Sequence, residues 1–139
     1  LPGGGDALFW MLGDRSKGTV IHKNEKEWKG SHSGFGVHKH IRTLYFNENK
    51  ITGIDELGDG QAFTTFFHCA PDVHVVEIGG SNHSVLLSSN DVSVRLICKN
   101  QTIQISDNDV YSAGYGILQQ TMLLSISGKS PVEWSIEIV

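Results

Sequence analysis

Residues His32 to Pro71 read HSGFGVHKHIRTLYFNENKITGIDELGDGQAFTTFFHCAP, and this stretch decides the fold class. It holds three β-rich runs separated by two turns. Val37–Phe46 is the first run. Side chains alternate along a strand with a period of two, so Val37, Ile41, Thr43 and Tyr45 share one face and His38, His40 and Arg42 the other. Asn47-Glu48-Asn49-Lys50 has the composition of a turn. Ile51–Leu57 is the second run, ended by Gly58-Asp59-Gly60. Gln61–Cys69 is the third, rich in Phe and Thr. Pro71-Asp72 stops it, because proline has no N–H to give to a ladder.

The same pattern continues outward. Thr19–His22 is a short β-branched run, followed by a polar segment from Lys23 to Lys29. Toward the C-terminus, Val73–Ile78, Ser84–Ser88, Val92–Lys99 and Thr102–Ile105 read as strands. Ser106–Asp109 reads as a loop, and Thr121–Ser127 and Pro131–Val139 as the closing strands. In the last strand Val132, Trp134, Ile136 and Ile138 alternate with Glu133, Ser135 and Glu137, the mark of a half-buried antiparallel strand. No segment has a helical period of useful length. Short strands at regular spacing predict an all-β chain: a single-domain antiparallel β-sandwich of roughly nine to eleven strands. The sandwich is expected over 19–139. Residues 1–18 read as a leader or a remnant of contact with an upstream domain. Within them the apolar run Ala7–Leu12 (ALFWML) suits an edge strand or a piece that packs on a neighbouring domain.

Composition narrows the function. The net charge is −4 and no cluster of Lys and Arg stands out, which argues against a nucleic-acid partner. An acidic polysaccharide would need a locally basic site. No apolar run approaches the roughly 18 residues of a membrane helix, so no membrane partner is expected. Cys69 and Cys98, the two cysteines, lie in apolar runs and read as buried thiols; a disulfide stays open in an oxidising compartment. Nucleophile-elbow, HExxH, P-loop and CxxC patterns are absent, and no cofactor is expected.

His38, His40 and Arg42 are the candidate site. Two histidines at i and i+2 on a strand can chelate a metal, as in cupins. That spacing wants a glycine six residues before the first histidine and a glutamate four or five after the second; here those positions hold His32, then Leu44 and Tyr45. No third ligand can be named, so no metal is expected. The trio is then either a solvated strand face or a basic face meeting acidic sugar or another domain, with Arg42 as a carboxylate partner. His68, at a strand end, reads as a polar residue that bonds backbone at a corner. Tyr111 and Tyr115 read as packing residues.

Several pieces, in order, resemble the C-terminal β-sandwich region of heparinase II/III-like proteins, a group that includes alginate-lyase-type polysaccharide lyases. They are His32-Ser33-Gly34-Phe35, a His-x-Gly-aromatic turn; His40 and Arg42 with Thr43-Leu44; Ile54-Asp55-Glu56-Leu57-Gly58-Asp59-Gly60; Phe67-His68-Cys69-Ala70-Pro71; and Tyr111-Ser112 with Tyr115-Gly116. The resemblance implies a parent enzyme with an upstream α-helical toroid, which cleaves uronic-acid polysaccharides by β-elimination and works in the periplasm or outside the cell. It assigns no catalytic residue to this chain. The family's His-x-His-x-Asp segment is not met, since His38-Lys39-His40 is followed by Ile41 and Arg42, and its His-Asn pair is missing near Gly18–Ile21. The chain is therefore expected to be inactive alone, with His38, His40 and Arg42 as substrate-binding candidates. An autonomous carbohydrate-binding or structural sandwich is the alternative, with Trp28, Tyr45 or Tyr111 as a stacking platform.

Overall fold

A two-residue turn at Glu48-Asn49 sets the register of the central hairpin: Asn47 opposes Lys50, and every later pair follows, including Arg42 opposite Asp55. The computed structural model describes residues 17–58 and 60–139; Ala7–Leu12 and the rest of the leader lie outside the described residues. Eleven strands run through the described residues: β1 Thr19–Lys23, β2 Glu27–Phe35, β3 His38–Asn47, β4 Lys50–Leu57, β5 Ala62–His68, β6 His74–Ile78, β7 Ser84–Ser89, β8 Val92–Cys98, β9 Ile103–Gly114, β10 Ile117–Lys129 and β11 Val132–Ile138. They form an eight-stranded sheet, in the order β1-β2-β3-β4-β11-β8-β7-β6, and a three-stranded sheet, β5-β10-β9. All pairings are antiparallel. This is the expected sandwich, with the strand count at the top of the expected range.

The core lies where the small sheet covers the large one. Val85 and Leu87 of β7, Leu96 and Cys98 of β8, and Val132 and Trp134 of β11 meet Ile103 of β9 and Leu124 and Ile126 of β10. The alternation read from β11, and the like alternation of Val94, Leu96 and Cys98 in β8, supply these contacts, because one face of each strand looks into the interlayer space. β5 lies over β4 and β11: Thr65 bonds Asp55, and Phe67 meets Trp134 edge-on at 5.0 Å. β1 and β2 give no residue to this cluster, and β3 gives only Leu44 at its margin. The small sheet thus covers about half of the large sheet's inner face. Both cysteines are free thiols, Cys98 inside the core and Cys69 packed against it.

Three segments differ from expectation. The end of the polar segment, Glu27–Lys29, and the predicted turn at His32–Phe35 both belong to β2. The strand was hidden because neither face carries an aliphatic stripe: Glu27, Lys29 and Ser31 alternate with Trp28, Gly30 and His32. Pairing with β1 and β3 imposes the extended form. Ser106–Asp109 is part of β9, where a bulge shifts the register against β10 between Leu123–Ser106 and Thr121–Asp109. A bulge of polar residues looks like a loop in sequence.

Candidate functional site

The site is built around a carboxylate that the core cannot tolerate alone. Asp55 sits on β4 with the same facing as Ile51 and Leu57, and its side chain is 0% exposed. An ionised carboxylate taken fully out of water needs partners. The hairpin register places Arg42 directly across on β3, where Nε donates to Oδ1 at 2.6 Å and Nη2 to Oδ2 at 3.1 Å. His40, two residues along the same strand, donates from Nε2 to Oδ1 at 2.9 Å. Trp134 Nε1 on the neighbouring β11 donates to Oδ2 at 2.8 Å, and Thr65 Oγ1 reaches the same oxygen from the opposite sheet at 3.2 Å. Burial pushes the Asp55 carboxyl up. The hydrogen bonds from His40, Arg42 and Trp134 and the Arg42 charge outweigh it and hold the group well below the usual carboxylate range.

The two histidine rings form a directed chain behind the carboxylate. The Gly34 N–H donates to His32 Nδ1 at 3.1 Å. A backbone amide can only donate, so the ring proton of His32 sits on Nε2, which donates to His40 Nδ1 at 3.0 Å. His40 then carries its proton on Nε2, aimed at Asp55. The bulged end of β2, between the pairs His32–His40 and Phe35–His38, makes the first link, because it turns the Gly34 amide toward the ring. The rings also touch, with centroids 4.9 Å apart and edge to face.

Every lone pair and proton in this chain is engaged. Neither imidazole has a nitrogen open to accept a proton, and Asp55 already accepts five bonds. Both ring nitrogens of each imidazole are thus hydrogen-bonded within the network. It holds the sheet at the border of the core and points Arg42 over Trp134, with the guanidinium carbon 5.7 Å from the ring centroid. Arg42 Nη1 makes no hydrogen bond among the described residues.

Outside this network the inner face opens into a groove of about 460 Å³, bordered by Val20, Trp28, Gly30, His32, His40 and Arg42. The Trp28 ring lies against the Gly30 backbone, and a Cβ at Gly30 would run into it. Gly53 receives Trp134 in the same way, which brings the indole N–H to Asp55.

A protein-family model, heparinase II/III-like, C-terminal, matches residues 9–137. The chain belongs to this family. Two solved structures share the fold of the heparinase-like sandwich: a mutant of heparan sulfate lyase HepC from Pedobacter heparinus (TM-score 0.72) and HepC from the same organism (TM-score 0.71). Each is 10% identical, and the match covers 88% of this chain and 22% of theirs. The chain thus spans about a fifth of the length of these structures. No curated protein matches it.

Of the expected trio, the heparinase-like sandwich brings His40 and Arg42 together on Asp55. His38 has the same facing but sits at the end of β3 beside Gly58, away from the groove lining. His68 bonds a side chain, Asp109 Oδ2 at 2.7 Å on β9, where backbone was expected. Burial, then the Asp109 charge, pushes the neighbouring Cys69 thiol up. Trp28, Tyr45 and Tyr111 form no common platform: Trp28 faces the groove, Tyr45 lies on the opposite face beside Lys26 and Phe46, and Tyr111 is on the other sheet. Asp55, His32, Thr65 and Trp134 were not read as one site. One signal was available. Asp55 stands at a core-facing position of its strand, and the tight turn already pairs it with Arg42.

Proposed function

We propose that this chain is the non-catalytic C-terminal sandwich of a polysaccharide lyase that cleaves acidic, uronate-containing chains by β-elimination. An upstream helical region of the parent supplies the catalytic groups, and the parent works in the periplasm or outside the cell. The observation that carries this reading is the family match over 9–137. It is supported by the saturated His32–His40–Asp55 chain, in which every imidazole nitrogen is already hydrogen-bonded. β-Elimination needs a base for the C5 proton, an acid for O4 and neutralisation of the uronate. The test is the absorbance of unsaturated product released from uronate polymers. The parent is expected to be active and the 139-residue chain inactive. An inactive parent overturns the lyase reading; an active isolated chain overturns the division of labour.

Direct contact of His38, His40 and Arg42 with acidic sugar is the second reading. It is favoured by Arg42 Nη1 and the Trp28 ring bordering one groove. Within it His40 and Arg42 would do the work and His38 would contribute least. Titration with oligouronates, followed by tryptophan fluorescence, tests it; an unchanged signal removes it.

A further inference from the structure

Three links at the groove wall run in one direction. The Gly34 N–H donates to His32 Nδ1, His32 Nε2 donates to His40 Nδ1, and His40 Nε2 donates to Asp55 Oδ1. Each ring carries one proton and has one nitrogen that accepts. A further proton can therefore enter only at His32 Nδ1 or His40 Nδ1, and only by setting donor against donor in one link. Imidazole is the side chain that changes charge between about pH 5 and 8.

The surroundings decide which link gives way. The two rings pack edge to face, and Phe35 touches both. Two protonated arrangements keep them joined. His32 carries both protons, or His40 carries both and donates from Nδ1 to His32 Nε2. In each, His32 Nδ1 bears a proton and meets the Gly34 N–H head on. Gly34 is exposed, so its amide can turn to water instead. The His40 side chain, by contrast, is 17% exposed and shares Asp55 Oδ1 with Arg42.

The extra proton changes the charge of the groove. Around the rings, β3 brings Arg42, β4 brings Asp55, and β1 brings the uncharged Thr19 and Val20. Lys17 precedes β1, Lys23 at its far end stands across from Trp28, and His38 turns to Gly58. Arg42 and Asp55 offset each other, so the cluster is neutral until a ring takes a second proton. Asp55, held well below the usual carboxylate range, stays ionised when that happens. His32, His40 and Arg42 border the groove together with Trp28. A carboxylate there would then meet a net positive charge and a His32 Nδ1–H that has lost its partner.

We propose that the His32–His40–Asp55 chain is a proton-operated control on this groove: one added proton parts Gly34 from His32 and raises the affinity for uronate carboxylates. This rests on the reading in which the groove holds acidic sugar. Amide and imidazole NMR of the 139-residue chain from pH 8 to 5 tests the link. The Gly34 amide shift is expected to move with the same midpoint as the His32 ring and to stay still in His32→Phe. A Gly34 amide that stays still while His32 titrates, or that moves equally in His32→Phe, overturns the proposal. Binding of trigalacturonate, followed by tryptophan fluorescence at pH 8 and pH 5.5 and one ionic strength, tests the control. The dissociation constant is expected to be lower by about tenfold or more at pH 5.5. In His32→Phe/His40→Gln, where glutamine keeps a donor to Asp55, the two constants should be alike. Equal binding by the unaltered chain at both pH values overturns the control and leaves the sugar reading standing. No binding at either pH removes the sugar reading and the control with it.

Discussion

The two halves of the eight-stranded sheet are stabilised by different physics. Under the small sheet, Leu96, Leu124, Ile126 and Val132 are almost fully buried and interlock without polar atoms. At the border with the open half, one carboxylate is buried just as deeply and is tolerated only because Arg42, His40, Trp134 and Thr65 all donate to it. The first half tolerates loss of volume badly; the second tolerates loss of a partner badly. The same sheet can therefore continue past its roof, with a satisfied polar network standing in for a second layer at the edge.

The comparison is tested most severely at Asp55. Asp55→Ala leaves the buried Trp134 N–H and the Thr65 hydroxyl without an acceptor and frees Arg42 from its fork. The expected loss is about 4 kcal/mol in urea unfolding. A loss under about 1 kcal/mol would show that the border is held by packing alone. In the covered half, Leu124→Ala is expected to cost about 3 kcal/mol by cavity formation. A much smaller value would mean that the small sheet sits loosely on the large one.

Acid separates the halves by charge. The folded-state pKa of Asp55 is depressed, so its contribution to stability is fully present above the ordinary carboxylate pKa of about 4 and is lost as pH falls below it. Unfolding midpoints measured between neutral pH and pH 3 should fall in the unaltered chain and in Leu124→Ala by similar amounts. They should fall less in Asp55→Ala. Parallel acid curves in all three would remove Asp55 as the acid-sensitive group. The smallest effect is expected at His32. His32→Phe keeps an aromatic ring beside His40 but withdraws the donor to its Nδ1, at a cost of about 1 kcal/mol. Imidazole nitrogen shifts should then show His40 Nδ1 without its hydrogen bond while the Nε2 proton stays on Asp55. An unchanged His40 spectrum would contradict the directed chain.

The legibility of these halves in sequence also differs. β8 and β11 announced themselves through Val92-Val94-Leu96-Cys98 and Val132-Trp134-Ile136-Ile138, because a strand with one buried face must alternate. β2 did not, because the face it turns inward lies outside the core cluster of the described residues and holds Trp28, Gly30 and His32. His40 and Arg42 were singled out as a pair on one face, and that facing is correct. Their partner was missed because Asp55 stands in a neighbouring strand and looks like part of a turn motif until the hairpin register is drawn. His38 was grouped with them by parity, which says which way a side chain points but not what stands opposite.

The sequence by itself determined the β class, the facing of most strands and the family, since all of these rest on local alternation and short patterns. Only the tertiary structure decided that Arg42 is spent on Asp55, that two imidazoles are locked in a line from the Gly34 amide, and that the three-stranded sheet roofs one half of the large sheet. Those facts depend on which strands become neighbours across a sheet and between layers, and a carboxylate's partners in space leave no period in the chain.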